Sequence, residues 1–71
     1  MAYNYNKLAG RIVEICGTRA EFAKKMGLSE RMTSLKLNNK SSWTQRNIQK
    51  AISILDIDPK DIGVYFFTVK Y

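Results

Sequence analysis

The sequence predicts an all-α fold, a compact bundle of four to five short helices that forms one domain over residues 1–71 and is built round a helix-turn-helix. Three observations predict it. Apolar residues recur at i, i+3, i+4 and i+7 spacing between Gly, Pro and Asn breakers, which is the period of half-buried helices. Two helix starts and a glycine stop fall within residues 18–38. A chain of 71 residues has room for one small core and buries only about 60% of its unfolded surface.

The helix-turn-helix occupies TRAEFAKKMGLSERMTSLKLN, residues 18–38. Thr18 is an N-cap, and Glu21 stands three residues on, where a capping box needs it. Phe22, Ala23 and Met26 give this helix its apolar side, and Gly27 supplies the left-handed residue at its end. Leu28 plugs the angle between the two helices. Ser29 caps the second helix, which runs from Glu30 to about Leu37. Helix, short glycine turn and helix in this length form the unit that enters the DNA major groove in many regulators.

The remaining elements follow in order. Asn4 or Asn6 caps a first helix ending near Cys16, with Leu8, Ile12 and Ile15 as its buried stripe and Lys7, Arg11 and Glu14 outside. Gly10 within it implies either a close neighbour or a weak spot, and Gly17 ends it. Tyr3 and Tyr5 either staple the start to the core or lie on a partner. After the polar turn at residues 38–42, in which Asn39 suits a left-handed conformation, Trp43 packs on the core and Thr44 caps a fourth helix from Gln45 to Leu55. Ile48, Ala51, Ile52 and Leu55 form its apolar side. Asp58-Pro59-Lys60-Asp61 starts a short fifth helix or turn. The aromatic tail, Tyr65 to Tyr71, is rich in β-formers; it either folds back on its own bundle, the favoured reading, or pairs with a second chain.

Composition narrows the function classes. No histidine is present and the one cysteine, Cys16, reads as a small hydrophobe, so an internal disulfide, a Cys/His zinc site and histidine acid–base chemistry are all excluded. The six acids are scattered over separate helices and no glycine-rich phosphate loop occurs, so the expectation is a non-enzyme without cofactor or metal. No apolar run nears the roughly 18 residues of a membrane span, and the start lacks a signal-peptide core, so a cytoplasmic protein with no membrane partner is expected. The net charge of +6 is uneven: residues 1–50 carry ten Lys/Arg against three Glu. A basic field on a helix-turn-helix is the electrostatic footprint of a nucleic-acid binder.

At 100° per residue, the second helix of the motif puts Leu28, Met32 and Leu35 inward and Arg31, Ser34 and Asn38 outward, with Glu30 and Leu37 between. Arg31 and Ser34, then Glu30, are the expected readers of base edges, since arginine pairs with guanine and glutamate accepts from cytosine. Arg19 sits at a helix N-terminus, where free N–H groups also favour an anion, and with Lys36 and Lys40 it is an expected phosphate contact.

The run from Thr18 to Ser29, with Phe-Ala in the first helix and Met-Gly-Leu-Ser at the turn, resembles the helix-turn-helix of the phage Cro/CI repressor family. Length, element order, the Leu-Asn-Asn-Lys after the motif and the aromatic tail are similar to the short Cro-like regulators of Gram-positive temperate phages, including the modulator-of-repression type. Three positions depart from the pattern: Arg19 stands where the family usually has Gln, Thr33 where Ile or Val is commoner, and Asn39 where many members have Gly. The second departure implies that Met32, Leu35 or Leu37 takes over a buried role. The resemblance implies that the loop after the motif lies along the DNA backbone, which adds Asn39, Ser41 and Ser42 to the phosphate contacts.

Two functions follow from these readings. The first is a Cro-type regulator that binds double-stranded operator DNA in the lysis/lysogeny switch of a phage, inside the bacterial host cell; as a homodimer it would set two reading helices about 34 Å apart. The alternative, implied by the modulator-of-repression resemblance, is an antirepressor that binds the phage CI repressor through the same helix-turn-helix face and alters or blocks its DNA binding. Glu30 at the leading position and the apolar Leu35 fit the alternative, because helices of this kind lie in protein grooves as readily as in DNA, but the same face would serve both functions and the Cro-type reading leads.

Overall fold

Side-chain caps start most of the helices, and left-handed residues stop them. The computed structural model describes residues 2–69, in the order α1 (Asn6–Cys16), α2 (Arg19–Met26), α3 (Glu30–Leu37), α4 (Gln45–Ile54), a 3-10 turn (Pro59–Asp61) and α5 (Ile62–Phe66). Thr18 Oγ1 accepts from the Glu21 N–H at 3.1 Å, Ser29 Oγ from Met32 N–H at 3.1 Å and Thr44 Oγ1 from Asn47 N–H at 3.1 Å. Thr44 completes a capping box with Asn47, whereas only the forward half of the expected Thr18 box is formed. Of the two residues expected to cap the first helix, Asn4 does so from one residue outside the N-cap position, Tyr5: its Oδ1 accepts from Asn6 N–H at 2.8 Å.

The stops are as local as the starts. Gly27 (φ 75°) lets Leu28 N–H reach back to the Ala23 carbonyl at 2.9 Å, which turns the chain from α2 into α3. Asn39 (φ 62°) and Asp56 (φ 52°) do the same for α3 and α4, with Lys40 N–H on Leu35 O and Ile57 N–H on Ile52 O. Asparagine and aspartate tolerate this conformation better than other non-glycine residues.

The core gathers one face of every helix. Leu8 and Ile12 from α1, Phe22 and Met26 from α2, Leu37 from α3, Ile48 and Ala51 from α4, then Leu55, Ile57 and Phe66 form a single buried cluster. Burying each of the larger side chains is worth about 1.5–3 kcal/mol. Two expectations change here. Ile15, placed in the buried stripe of α1, is 40% exposed, and Cys16, at the i+4 position from Ile12, packs on the core in its place. Arg11, placed outside, is half-buried: its guanidinium donates to the carbonyls of Leu55 (2.9 Å) and Asp56 (3.1 Å), the unpaired end of α4, and pairs with Glu14 at 2.6 Å.

The tail folds onto its own chain. Tyr65 and Phe66 belong to α5, Tyr3 and Val69 form an antiparallel bridge, and Asn4 N–H donates to the Thr68 carbonyl at 2.7 Å. Lys70 and Tyr71, the end of the expected aromatic tail, lie outside the described residues. Trp43 stacks edge-on against Phe66 (5.1 Å between centroids) and lies near Tyr5 (6.3 Å), so the N-terminal segment and α5 close the bundle together. Burial pushes the Tyr5 phenol up from its ordinary range, and Tyr3 beside it adds to the shift. No helix among the described residues is long and apolar enough to cross a membrane.

Gly10 is exposed within α1, and a methyl group built on it would meet no atom within 4 Å, so the weak-helix explanation of this glycine holds and the close-neighbour one does not. Gly10→Ala is therefore expected to raise unfolding free energy by about 0.5–1 kcal/mol. Urea denaturation checks this, and an unchanged or lower midpoint would reveal a constraint at this position.

Candidate partner-binding face of the helix-turn-helix

The face that α3 presents is decided by which of its residues the core accepts. Thr33 is 1% exposed and Leu37 7%, so these two form the buried edge, with Lys36 beside them at 5%. Thr33 tolerates burial because its hydroxyl donates to the Ser29 carbonyl at 3.1 Å, which leaves the methyl group for the core. Relative to the sequence expectation, the helix is rotated by roughly a third of a turn. Of the three residues expected to replace an Ile or Val at position 33, Leu37 is buried, Leu35 is half-buried and Met32 is 38% exposed.

The outward face therefore has a different chemistry from the one expected. Arg31, Leu35 and Asn38 lie opposite Thr33, with Met32 on one flank and the half-buried Ser34 on the other. Asn38 Nδ2 reaches Ser34 Oγ at 3.3 Å, so these two polar side chains partly satisfy each other. Glu30 and Arg31 are exposed at the start of the helix, and neither forms an ion pair among the described residues, where Arg11–Glu14 is the one salt bridge. Sequence reasoning missed Met32 as a surface residue; the signal was available in Thr33, whose hydroxyl can be satisfied by its own helix.

Two of the expected phosphate contacts are engaged elsewhere. Lys36 runs beneath the loop after α3, where Nζ donates to the Ser42 carbonyl at 2.7 Å and lies 5.9 Å from the Trp43 ring centroid. It is a structural tie and cannot reach a phosphate without leaving the core. Asn39 holds the N-terminal segment: its Oδ1 accepts from Tyr3 N–H at 2.9 Å and its Nδ2 donates to Tyr3 O at 2.8 Å, as a neighbouring strand would. Lys40 and Ser42 are exposed and Ser41 is half-buried on the same loop. Arg19 is exposed at the start of α2, on the rim of a cavity of about 230 Å³ shared with Asn38 and the N-terminal segment. Arg31, Arg19, Asn38 and Lys40 thus remain exposed.

Known proteins place this geometry in a family. Residues 1–69 match the family described as "Protein of unknown function (DUF739)". The chain belongs to that family. No curated protein matches it. Among solved structures it is similar to the solution structure of the modulator of repression (MOR) of the temperate bacteriophage TP901-1 from Lactococcus lactis, at 50% sequence identity over 99% of this chain and 97% of that one, with a TM-score of 0.83. The resemblance to the modulator-of-repression type and the all-helical fold are thereby both established, at an identity that makes the likeness one of sequence as well as of shape.

Because Lys36 is buried and Lys40 is exposed, their replacements separate structure from binding. Lys36→Ala is expected to lower unfolding free energy by about 1–3 kcal/mol through lost packing and an unpaired Ser42 carbonyl. Lys40→Ala should stay within about 0.5 kcal/mol of the parent. Thermal denaturation of both variants checks the assignment, and the reverse ranking would contradict it.

Proposed function

We propose that the chain is a modulator of repression, an antirepressor that binds the CI repressor of its phage through the helix-turn-helix face and alters or blocks that repressor's DNA binding. The observation that carries the reading is the 50% identity, over nearly the whole of both chains, to a protein named for modulating repression. The orientation of α3 supports it. A half-buried Leu35 on the outward face, with exposed Met32 beside it, suits the apolar centre of a protein interface. Base edges offer such side chains little beyond a thymine methyl group. Glu30 agrees with this reading, since a carboxylate close to phosphates opposes DNA binding.

Operator binding of Cro type is the second reading, favoured by exposed Arg31 near the start of α3 and by the positive charge of residues 1–50. On that reading, the two expected cationic phosphate contacts that stay exposed, Arg19 and Lys40, would give a slope of log affinity against log salt of about −1.8. The two readings are separated by a gel shift on phage promoter DNA with the purified chain, the purified CI repressor, and both. The antirepressor reading expects no sequence-specific shift by the chain alone and a lost or altered repressor shift in the mixture. A specific shift by the chain alone, with the repressor's shift unchanged, would overturn it.

Leu35→Asp places a carboxylate at the centre of the proposed interface and leaves the core untouched. It is expected to weaken repressor binding by about 2 kcal/mol or more with little loss of stability. Isothermal titration calorimetry against the repressor checks this, and undiminished affinity would move the interface off α3.

A further inference from the structure

The cavity between the N-terminal segment, the start of α2 and the end of α3 has a lopsided hydrogen-bonding inventory. Asn4, Asn6, Ala9, Arg19, Leu37 and Asn38 line it, and none of the residues round it is acidic. The asparagine oxygens with defined partners are already used: Asn4 Oδ1 accepts from Asn6 N–H, and Asn39 Oδ1 from Tyr3 N–H. Among the described residues Asn6 Oδ1 and Asn38 Oδ1 stay open as acceptors, Asn38 having spent its Nδ2 on Ser34, but the open donors outnumber them. Arg19 makes no ion pair or side-chain hydrogen bond among the described residues, and the amide nitrogens of Asn4 and Asn6 are likewise unengaged. Behind Arg19, the first turn of α2 adds the partial positive charge of a helix start.

We infer that this cavity receives a carboxylate side chain, Asp or Glu, from the repressor that docks on α3; the inference rests on the antirepressor reading above. A donor surplus round an unpaired guanidinium selects an anion, and the planar fork of arginine matches a carboxylate with two parallel bonds. Ala9 and Leu37 add apolar wall for the methylene groups of such a side chain. Asn38, on the cavity rim, lies one helical turn beyond Leu35 on the outward face, so one docked surface covers both. The Asn39–Tyr3 pair, with hydrogen bonds of 2.9 and 2.8 Å, holds the N-terminal wall in place. Asn39 is on this account a positioning residue and Arg19 the contact.

The test is calorimetric titration of the purified CI repressor with the full chain and its variants, each first checked for an unchanged backbone amide spectrum. Arg19→Met is expected to weaken binding about tenfold or more, as loss of a charge-assisted pair does. Lys24→Met, on the outer face of α2, should change it by less than about threefold. Arg19→Glu should abolish binding, and one Asp→Lys or Glu→Lys replacement on the repressor should restore it. If Leu35→Asp prevents binding while Arg19→Met binds like the parent, the docking face stands and the carboxylate pocket is wrong. If the parent does not bind the repressor, and Arg19→Met instead weakens binding to operator DNA equally at all sequences, the cavity is a phosphate site and the inference falls.

Discussion

The Thr33 hydroxyl donates to the Ser29 carbonyl one turn back, and the seating of α3 depends on that bond. A threonine can occupy a fully buried position only when its hydroxyl has a partner, because an unpaired one would cost about 1–3 kcal/mol. With the bond made inside its own helix, the methyl group enters the core beside Leu37, and the rest of α3 is fixed by its 3.6-residue period. Lys36 is driven under the following loop, and Arg31, Leu35 and Asn38 are turned outward. The candidate interface is in this sense a by-product of one satisfied hydroxyl.

The loop after α3 links that seating to the rest of the molecule. Lys36 holds the loop from beneath through Ser42, and Asn39 holds the N-terminal segment from above through both polar groups of Tyr3. Tyr3 in turn pairs with Val69, and its ring meets Phe67 edge-on at 5.7 Å. Tyr3 and residues 67–69 are therefore stitched to the loop that follows α3. Residues that a sequence reader assigns to phosphate contact are here used to hold the face in shape.

Much of the fold was legible in the sequence because its determinants are local. Thr18, Ser29 and Thr44 announce helix starts, Gly27 announces the turn, and the boundaries of α2 and α3 agree with those expected. What failed was the rotation of α3 and the fate of long polar side chains. Helical spacing alone gives two plausible apolar sides on a helix that carries Leu28, Met32 and Leu35 as well as Thr33 and Leu37. Only packing against α2 chooses between them. Arg11 and Lys36 were misplaced for a related reason: their cationic ends reach backbone carbonyls supplied by residues 44–45 and 6 positions away, respectively, and periodicity does not encode such partners.

On the proposed function, the side of α3 bearing Arg31, Met32 and Leu35 is the surface that meets a partner. The most direct measurement is an amide and methyl chemical-shift titration of isotope-labelled chain with unlabelled CI repressor. The largest changes are expected on Arg31, Met32, Leu35 and Asn38, extending to Arg19, with the buried Thr33 and Leu37 methyl groups keeping their contacts to the core. Changes confined to α4, α5 and the tail, with α3 undisturbed, would contradict it.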